Sequence, residues 1–135
     1  MRVSVVTPDS TFFEGEAGFV VLPSLDGEIG VLPKHAPMIA RLGHGVAKVK
    51  PSLESGEETK IAIYGGFCKV QDDVVSVLAS GAAKADGTTK DQAQQAVTAA
   101  HDALAKLKAA GTKGSALAEA EEAFLRAKAF NTLLG

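Results

Sequence analysis

The chain has no tryptophan, one tyrosine and one cysteine among its 135 residues. A single thiol, Cys68, excludes an internal disulfide framework, so the fold must rest on an apolar core. Six phenylalanines and one tyrosine leave little with which to line an aromatic ligand pocket. Neither charge dominates, with 14 basic and 16 acidic residues and a net −2. Nucleic acid as a main partner is thereby disfavoured, because phosphate binding needs a concentrated basic surface. No apolar run is long enough to cross a bilayer, and the chain opens on Met1-Arg2-Val3 without a leader-like stretch, so any role at a membrane is expected to be peripheral. What is present, 46% hydrophobic and 22% charged residues with a mean hydropathy of +0.12, suits one folded domain or a domain with a short appendage.

The catalytic signatures are missing too. There is no Gly-x-Ser-x-Gly, no Gly-x-Gly-x-x-Gly and no Gly-Lys-Ser/Thr phosphate loop. His35, His44 and His101 are scattered without metal-ligand spacing, and surface or packing roles are the better reading. Cys68 falls in the strand pattern Gly66-Phe67-Cys68-Lys69-Val70, where a buried, inert thiol is expected. No catalytic residue, metal ligand or cofactor site is assigned.

Composition divides the chain near Gly81. Residues 1–81 hold 16 Val plus Ile, 6 Ala and all 5 prolines; residues 82–135 hold one Val, no Ile and 17 Ala. β-Branched residues favour a pleated sheet and alanine favours helix, so a β domain over 1–81 and a helical part over 82–135 are expected. Candidate strands are Arg2–Thr7, Phe12–Glu16, Phe19–Pro23, Ile29–Leu32, Gly45–Lys50, Lys60–Tyr64, Phe67–Gln71 and Val74–Leu78. Turn residues separate them, at Pro8-Asp9-Ser10, Asp26-Gly27, Ser55-Gly56, Gly65-Gly66 and Asp72-Asp73. Eight short strands with no intervening helix predict an antiparallel sandwich or barrel.

The second part predicts an antiparallel helical hairpin, giving an α+β protein overall. Thr88 or Thr89 caps the first helix, with Asp91 or Gln92 completing a capping box. Its apolar line is Ala93, Ala96/Val97, Ala100, Leu104 and Leu107. Gly111 suits the left-handed position that ends it. Ser115 is the candidate cap of the second helix, whose seam is Leu117, Ala120, Phe124, Ala127, Phe130/Asn131 and Leu134.

One segment stands apart from ordinary sandwich sequence: Gly27-Glu28-Ile29-Gly30-Val31-Leu32-Pro33-Lys34-His35-Ala36-Pro37-Met38-Ile39. A turn, a strand and a proline-stiffened corner would account for its glycines and prolines. A rigid surface loop presenting Glu28 and His35 to a partner would account for them equally well.

The order Val6-Thr7-Pro8, Phe13-Glu14-Gly15 and then Gly27 through Pro37 resembles the epsilon-subunit family of F-type ATP synthases, whose mitochondrial counterparts are called delta. Gly45-Val46 opening a strand, Tyr64-Gly65-Gly66-Phe67 at a hairpin, Val70 at its end and Val77-Leu78-Ala79 before the helices extend the likeness along the chain. The resemblance implies a non-catalytic subunit of the rotating central stalk, coupling proton flow to ATP synthesis at the cytoplasmic face of a bacterial inner membrane and held there by its partners. It implies docking on the gamma subunit and on the polar loops of the c-ring, with Glu28 and its neighbour Gly30 toward the c-ring and His35 and Pro37 near gamma. It further implies C-terminal helices that extend toward the alpha/beta catalytic head and inhibit hydrolysis; a permanently docked hairpin is the competing expectation. Some relatives bind regulatory ATP with an Ile/Leu-Asp-x-x-Arg-Ala stretch. Here Asp91 matches, but Gln94 replaces the arginine, leaving Arg126 as a distant guanidinium, so weak or no ATP binding is expected. A small-ligand-binding β-sandwich with a helical appendage is the alternative of another class.

Overall fold

A computed structural model describes residues 1–52, 54 and 57–134. The turn expected at Ser55-Gly56, and Gly135 at the end of the helical part, lie outside the described residues. Eight strands come first: β1 (Arg2–Val6), β2 (Thr11–Glu16), β3 (Phe19–Ser24), β4 (Gly27–Val31), β5 (Met38–Lys50), β6 (Thr59–Gln71), β7 (Val74–Ala79) and β8 (Ala82–Ala83). Two helices follow, α1 (Lys90–Ala109) and α2 (Ser115–Leu134).

The strands form one hydrogen-bonded path, β2-β1-β7-β6-β5-β3-β4, with β8 also on β6. The two 13-residue strands β5 and β6 pair along their length and fold this path into a sandwich. The C-terminal half of β6 pairs with β7, whereas the C-terminal half of β5 pairs mainly with β3 and the N-terminal half of β6 with β8. Valines and isoleucines of both layers close one core, with Val3, Val5, Val20, Leu22, Val31, Ile61, Ile63, Val75 and Val77 fully buried.

Inward positions change parity along the long strands. In β6 they are Ile61 and Ile63, then Cys68 and Val70; in β5, Leu42, then Ala47 and Val49. Side chains alternate faces strictly along a regular strand, so the phase must slip between these sets. In β6 the slip falls at Gly65 and Gly66, with φ of +80° and +124°. These glycines interrupt no strand: the expected hairpin at Tyr64–Phe67 is replaced by one continuous β6. Likewise β5 starts at Met38, seven residues before the expected Gly45. A third departure is that β1 runs parallel to β7, the one parallel pair among the described strands. The turn at Asp72-Asp73 is present as a two-residue hairpin with both residues at positive φ, the primed geometry that suits strand twist.

Thr89 caps α1: its hydroxyl accepts from Gln92 N–H at 3.1 Å while the Gln92 side chain accepts from Thr89 N–H at 3.0 Å. Gly111 ends the helix at φ +74°, with Thr112 N–H bonded back to the Leu107 carbonyl. The cap of α2 falls on Gly114, not Ser115. The first helical bond runs from Ala118 N–H to the Gly114 carbonyl, and Ser115 is already helical. Thr89→Ala should remove the hydroxyl acceptor of the Gln92 N–H while leaving the backbone N–H of residue 89 on the Gln92 side chain, and cost about 1 kcal/mol of hairpin stability. Thermal melting followed by circular dichroism would register it, and an unchanged melting temperature would count against the box.

Candidate functional site

The segment from Gly27 to Ile39 resolves into three pieces. Gly27–Val31 is the edge strand β4, placed by a tight link from β3 in which the Ser24 hydroxyl donates to the Gly27 carbonyl. Ile29 and Val31 turn inward, which leaves Glu28 and Gly30 exposed on the outer face. A Cβ on Gly30 would sit 3.3 Å from the Phe19 ring, so glycine there lets the ring lie flat on β4. Leu32–Pro37 then forms a corner. Lys34, at φ +64°, donates its backbone N–H to Asp73 Oδ1 at 2.8 Å, tying this corner to the β6–β7 turn. His35 is half-buried; its Nδ1–H donates to the Ala36 carbonyl at 2.7 Å and its backbone N–H to Leu32 at 3.2 Å. Pro37 is exposed and leads into β5. The strand therefore separates Glu28 and Gly30 at one end from His35 and Pro37 at the other. Glu28 borders an open cleft of about 380 Å³ shared with Pro23, His44, Lys48 and Thr132.

The sandwich has two unlike outer faces. Over β5 and β6, Val46 and Ala62 are covered by Leu133 of α2, with Tyr64, Ala83 and Phe130 at the margin. α1 packs on α2 along the expected seam, and Lys90 Nζ donates to the Asn131 carbonyl at 2.6 Å. The Asn131 amide also donates to Gln94 at 3.1 Å. The other face, over β5, β6 and β7, is uncovered. Phe67 lies opposite Arg41 on β5 and Leu78 on β7, and Ile39 opposite Lys69. Ile39, Phe67 and Leu78 are 73%, 53% and 56% exposed. Pro37 and Ile39 share a shallow groove with Lys69, so the corner borders this face.

Four side chains that the sequence reading had not brought together meet where α2 touches the sandwich. His44 Nε2 on β5 lies 3.0 and 2.9 Å from the two carboxylate oxygens of Glu122. Arg126 Nε donates to the same carboxylate at 2.9 Å, and its guanidinium sits 4.9 Å from the centre of the Tyr64 ring. His44 in turn stacks on Tyr64, ring centres 6.2 Å apart. Partial burial acts to raise the Glu122 pKa, but hydrogen bonds from Arg126 and His44 outweigh it and hold the carboxyl below its ordinary range. Burial pushes Tyr64 up, against the pull of Arg126 and with a smaller push from Asp86. A signal for this cluster did exist: Glu122 and Arg126 are four apart, one helical turn, on the opposite side from the seam. Arg126 is thus engaged here, and no hydrogen bond or ion pair joins it to Asp91, which lies in the first turn of α1.

No group of three or more His, Cys, Asp or Glu that could hold a metal occurs among the described residues. Burial raises the Cys68 thiol pKa, against a smaller opposite effect of a backbone hydrogen bond at Ala40, which disfavours the reactive thiolate. The clefts lined by described residues are open grooves of about 280 to 380 Å³. No helix among the described residues is long and apolar enough to cross a membrane.

A stiff sandwich with one face under a helical arm and the other apolar and open is the form of a docking subunit in a larger assembly. Residues 1–85 match the family "ATP synthase, Delta/Epsilon chain, beta-sandwich domain". The ATP synthase epsilon chain of Chromobacterium violaceum is 42% identical over 105 residues, covering 77% of this chain and 74% of that one. That of Thioalkalivibrio sulfidiphilus is 39% identical over 132 residues, covering 98% and 93%. In fold, the chain is similar to one in a structure of the Euglena gracilis mitochondrial ATP synthase (OSCP/F1/c-ring), with a TM-score of 0.76 and 20% identity over 98% of this chain and 80% of that one. The chain belongs to the ATP synthase delta/epsilon family. It is a stalk subunit of an F-type ATP synthase and not the catalytic one.

Proposed function

We propose that the sandwich docks on the gamma subunit through the Ile39–Phe67–Leu78 face, and that Glu28 and Gly30 on edge strand β4 meet the polar loops of the c-ring. The observation that carries this reading is the exposed apolar row itself: three large side chains from three adjacent strands lie uncovered on one face, with Arg41 and Lys69 beside them. Such a patch with a polar surround is what a protein partner covers. His35 and Pro37 support it from the rim, where the Asp73 tie stiffens the corner. Torque passes through a contact only if its parts do not yield, and a close-packed sandwich meets that need. In a bacterium this puts the chain at the cytoplasmic face of the inner membrane, held through its partners.

The hairpin is the regulatory part of the proposal. Its apolar footprint on the sandwich is small, centred on Val46, Ala62 and Leu133. Each fully buried side chain of this kind is worth roughly 1.5–3 kcal/mol before ordering costs, so docked and released arrangements lie within reach of each other. Released, the helices would extend toward the alpha/beta head and restrain hydrolysis. Pull-down of this chain by tagged gamma tests the docking, and failure of the pair to co-purify would refute it. Removal of residues 86–135 should leave gamma binding intact and raise ATP hydrolysis by the assembled complex. An unchanged rate would mean that the hairpin is no brake.

A further inference from the structure

We propose that the His44–Glu122 contact is a proton-controlled latch that sets how firmly the helical hairpin is held on the sandwich. The inference rests on the reading of the hairpin as a detachable arm, but it is tested on the isolated chain. Beside its small apolar footprint, the hairpin meets the sandwich through a polar cluster in which β5 supplies His44, β6 supplies Tyr64, and α2 supplies Glu122 and Arg126. Arg126 pairs with Glu122 within α2 itself, so that bond survives release. The His44 bond crosses from sandwich to hairpin and is broken by release.

Protonation of His44 changes the character of that crossing bond. With a neutral imidazole, Nε2–H donates an ordinary hydrogen bond to a carboxylate. With an imidazolium, the same geometry becomes a charge-assisted ion pair, roughly twice as strong. The groups facing the pair set the balance. Arg41 on β5, Arg126 and Tyr64 share the Glu122 side, while Glu28 on β4 and Lys48 on β5 line the cleft on the other side of His44. Asp86, in the segment before α1, acts on Tyr64. Against partial burial, Arg126 and His44 hold the Glu122 carboxyl below its ordinary range, which keeps it ionised into mildly acidic solution.

The sign follows from linkage. Against the effect of burial, the lowering of Glu122 comes first from Arg126, which stays with it on release, and next from His44, which does not; the His44 share is the part linked to docking, present above the released value and lost as pH falls through the docked one. The crossing bond from His44 is strongest where the imidazole carries a proton, because it is then a charge-assisted ion pair. Docking should therefore be firmest in mildly acidic solution, where both charges coexist, and weaken toward alkaline pH.

Single-molecule energy transfer between dyes on Asp9→Cys and Lys113→Cys, both exposed positions, reads docked and released populations of the full chain. Cys68 is buried and stays unlabelled. At a urea concentration where half the molecules are docked at pH 7, the docked-to-released ratio should be about fivefold higher at pH 6 than at pH 8. Glu122→Gln keeps a hydrogen-bond acceptor for the imidazole but should flatten that dependence. A flat response in the parent chain, or an equal slope in Glu122→Gln, overturns the latch. If hairpin and sandwich unfold together, the same comparison reads on the shared transition with the same two outcomes. Neither readout involves gamma or ATP hydrolysis, so failure here is distinct from failure of the stalk docking.

Discussion

Replacing Gly66 with alanine should lower the unfolding free energy by about 3 kcal/mol or more, the range reserved for substitutions with a named structural conflict. A Cβ on Gly66 would fall 2.2 Å from the Leu78 carbonyl oxygen and 2.8 Å from the Ala79 Cα. Both are backbone atoms of the neighbouring strand, and Gly66 pairs with Ala79 in that ladder, so neither can yield without opening β6 from β7. The residue also sits at φ +124°, a conformation that side-chain-bearing residues resist. Strain and collision therefore act together where the core face changes parity, and relaxation of one would disturb burial of Cys68 and Val70. Urea titration followed by circular dichroism would measure the loss. Gly15→Ala is the matched control, because its Cβ meets only the Phe13 ring at 3.7 Å and its φ is ordinary. If Gly66→Ala unfolds at the same urea concentration as the parent, the parity slip is not fixed by that glycine.

The same glycines explain what could be read from the sequence and what could not. Alternation, β-branching and turn chemistry located the seven longer strands, though β6 as two pieces and β5 only from Gly45, and the Asp72-Asp73 hairpin, because each is a local signal. Gly65-Gly66 between apolar runs carries the same local signal as a hairpin turn. Only the partner strands reveal it as a phase slip, since β5 and β7 continue pairing on both sides of it or alongside it. Residues 38–44 escaped as strand because Arg41, Gly43 and His44 break the alternation; Arg41 lies on the uncovered face, opposite Phe67, and His44 under α2. The parallel β1–β7 pair joins residues about seventy positions apart, and no short-range pattern encodes it.

The helices show a similar division. The α1–α2 seam was legible from spacing at three and four, and Leu104 and Phe124 fall on it, whereas Phe130 packs toward the sandwich. The second face of α2 was not. It docks with Ala129 and Leu133, the two buried residues of that helix, beside the charged Glu122 and Arg126. A charged pair four apart reads as a solvated helix face unless a histidine from another element meets it. At the candidate site, the Gly27–Ile39 stretch forms the expected strand and stiff corner, with Glu28 exposed on the strand. What spacing alone could not supply was that β4 separates Glu28 from His35, or that His35 turns a ring nitrogen onto its own corner.

Phe67→Glu should weaken binding of the chain to gamma about a hundredfold or more while leaving the sandwich folded. Phe67 sits between Ile39 and Leu78 on the uncovered face, and large aromatic side chains near the middle of an interface dominate its energy, often by 2 kcal/mol or more. A carboxylate there would lose its hydration on docking and find Ile39 and Leu78 in place of a partner charge. The loss of the ring and the cost of the buried charge add to about 3 kcal/mol, which is the stated hundredfold. Folding should tolerate the change because position 67 faces outward, opposite Arg41 and two residues from Lys69, so the new carboxylate has basic neighbours in the free chain. Phe67→Ala removes the ring without adding a charge and should lose roughly tenfold to thirtyfold. Thr98→Glu, on the exposed side of α1, adds the same charge away from this face and should bind like the parent. Titration of purified gamma with each variant, with circular dichroism to verify the fold, separates the outcomes. Parent-like affinity in Phe67→Glu would exclude the Ile39–Phe67–Leu78 face as the dock. A loss equal to that of Thr98→Glu would reduce the effect to net charge. A large loss confined to Phe67 would place the torque-bearing contact on the face that the fold leaves bare.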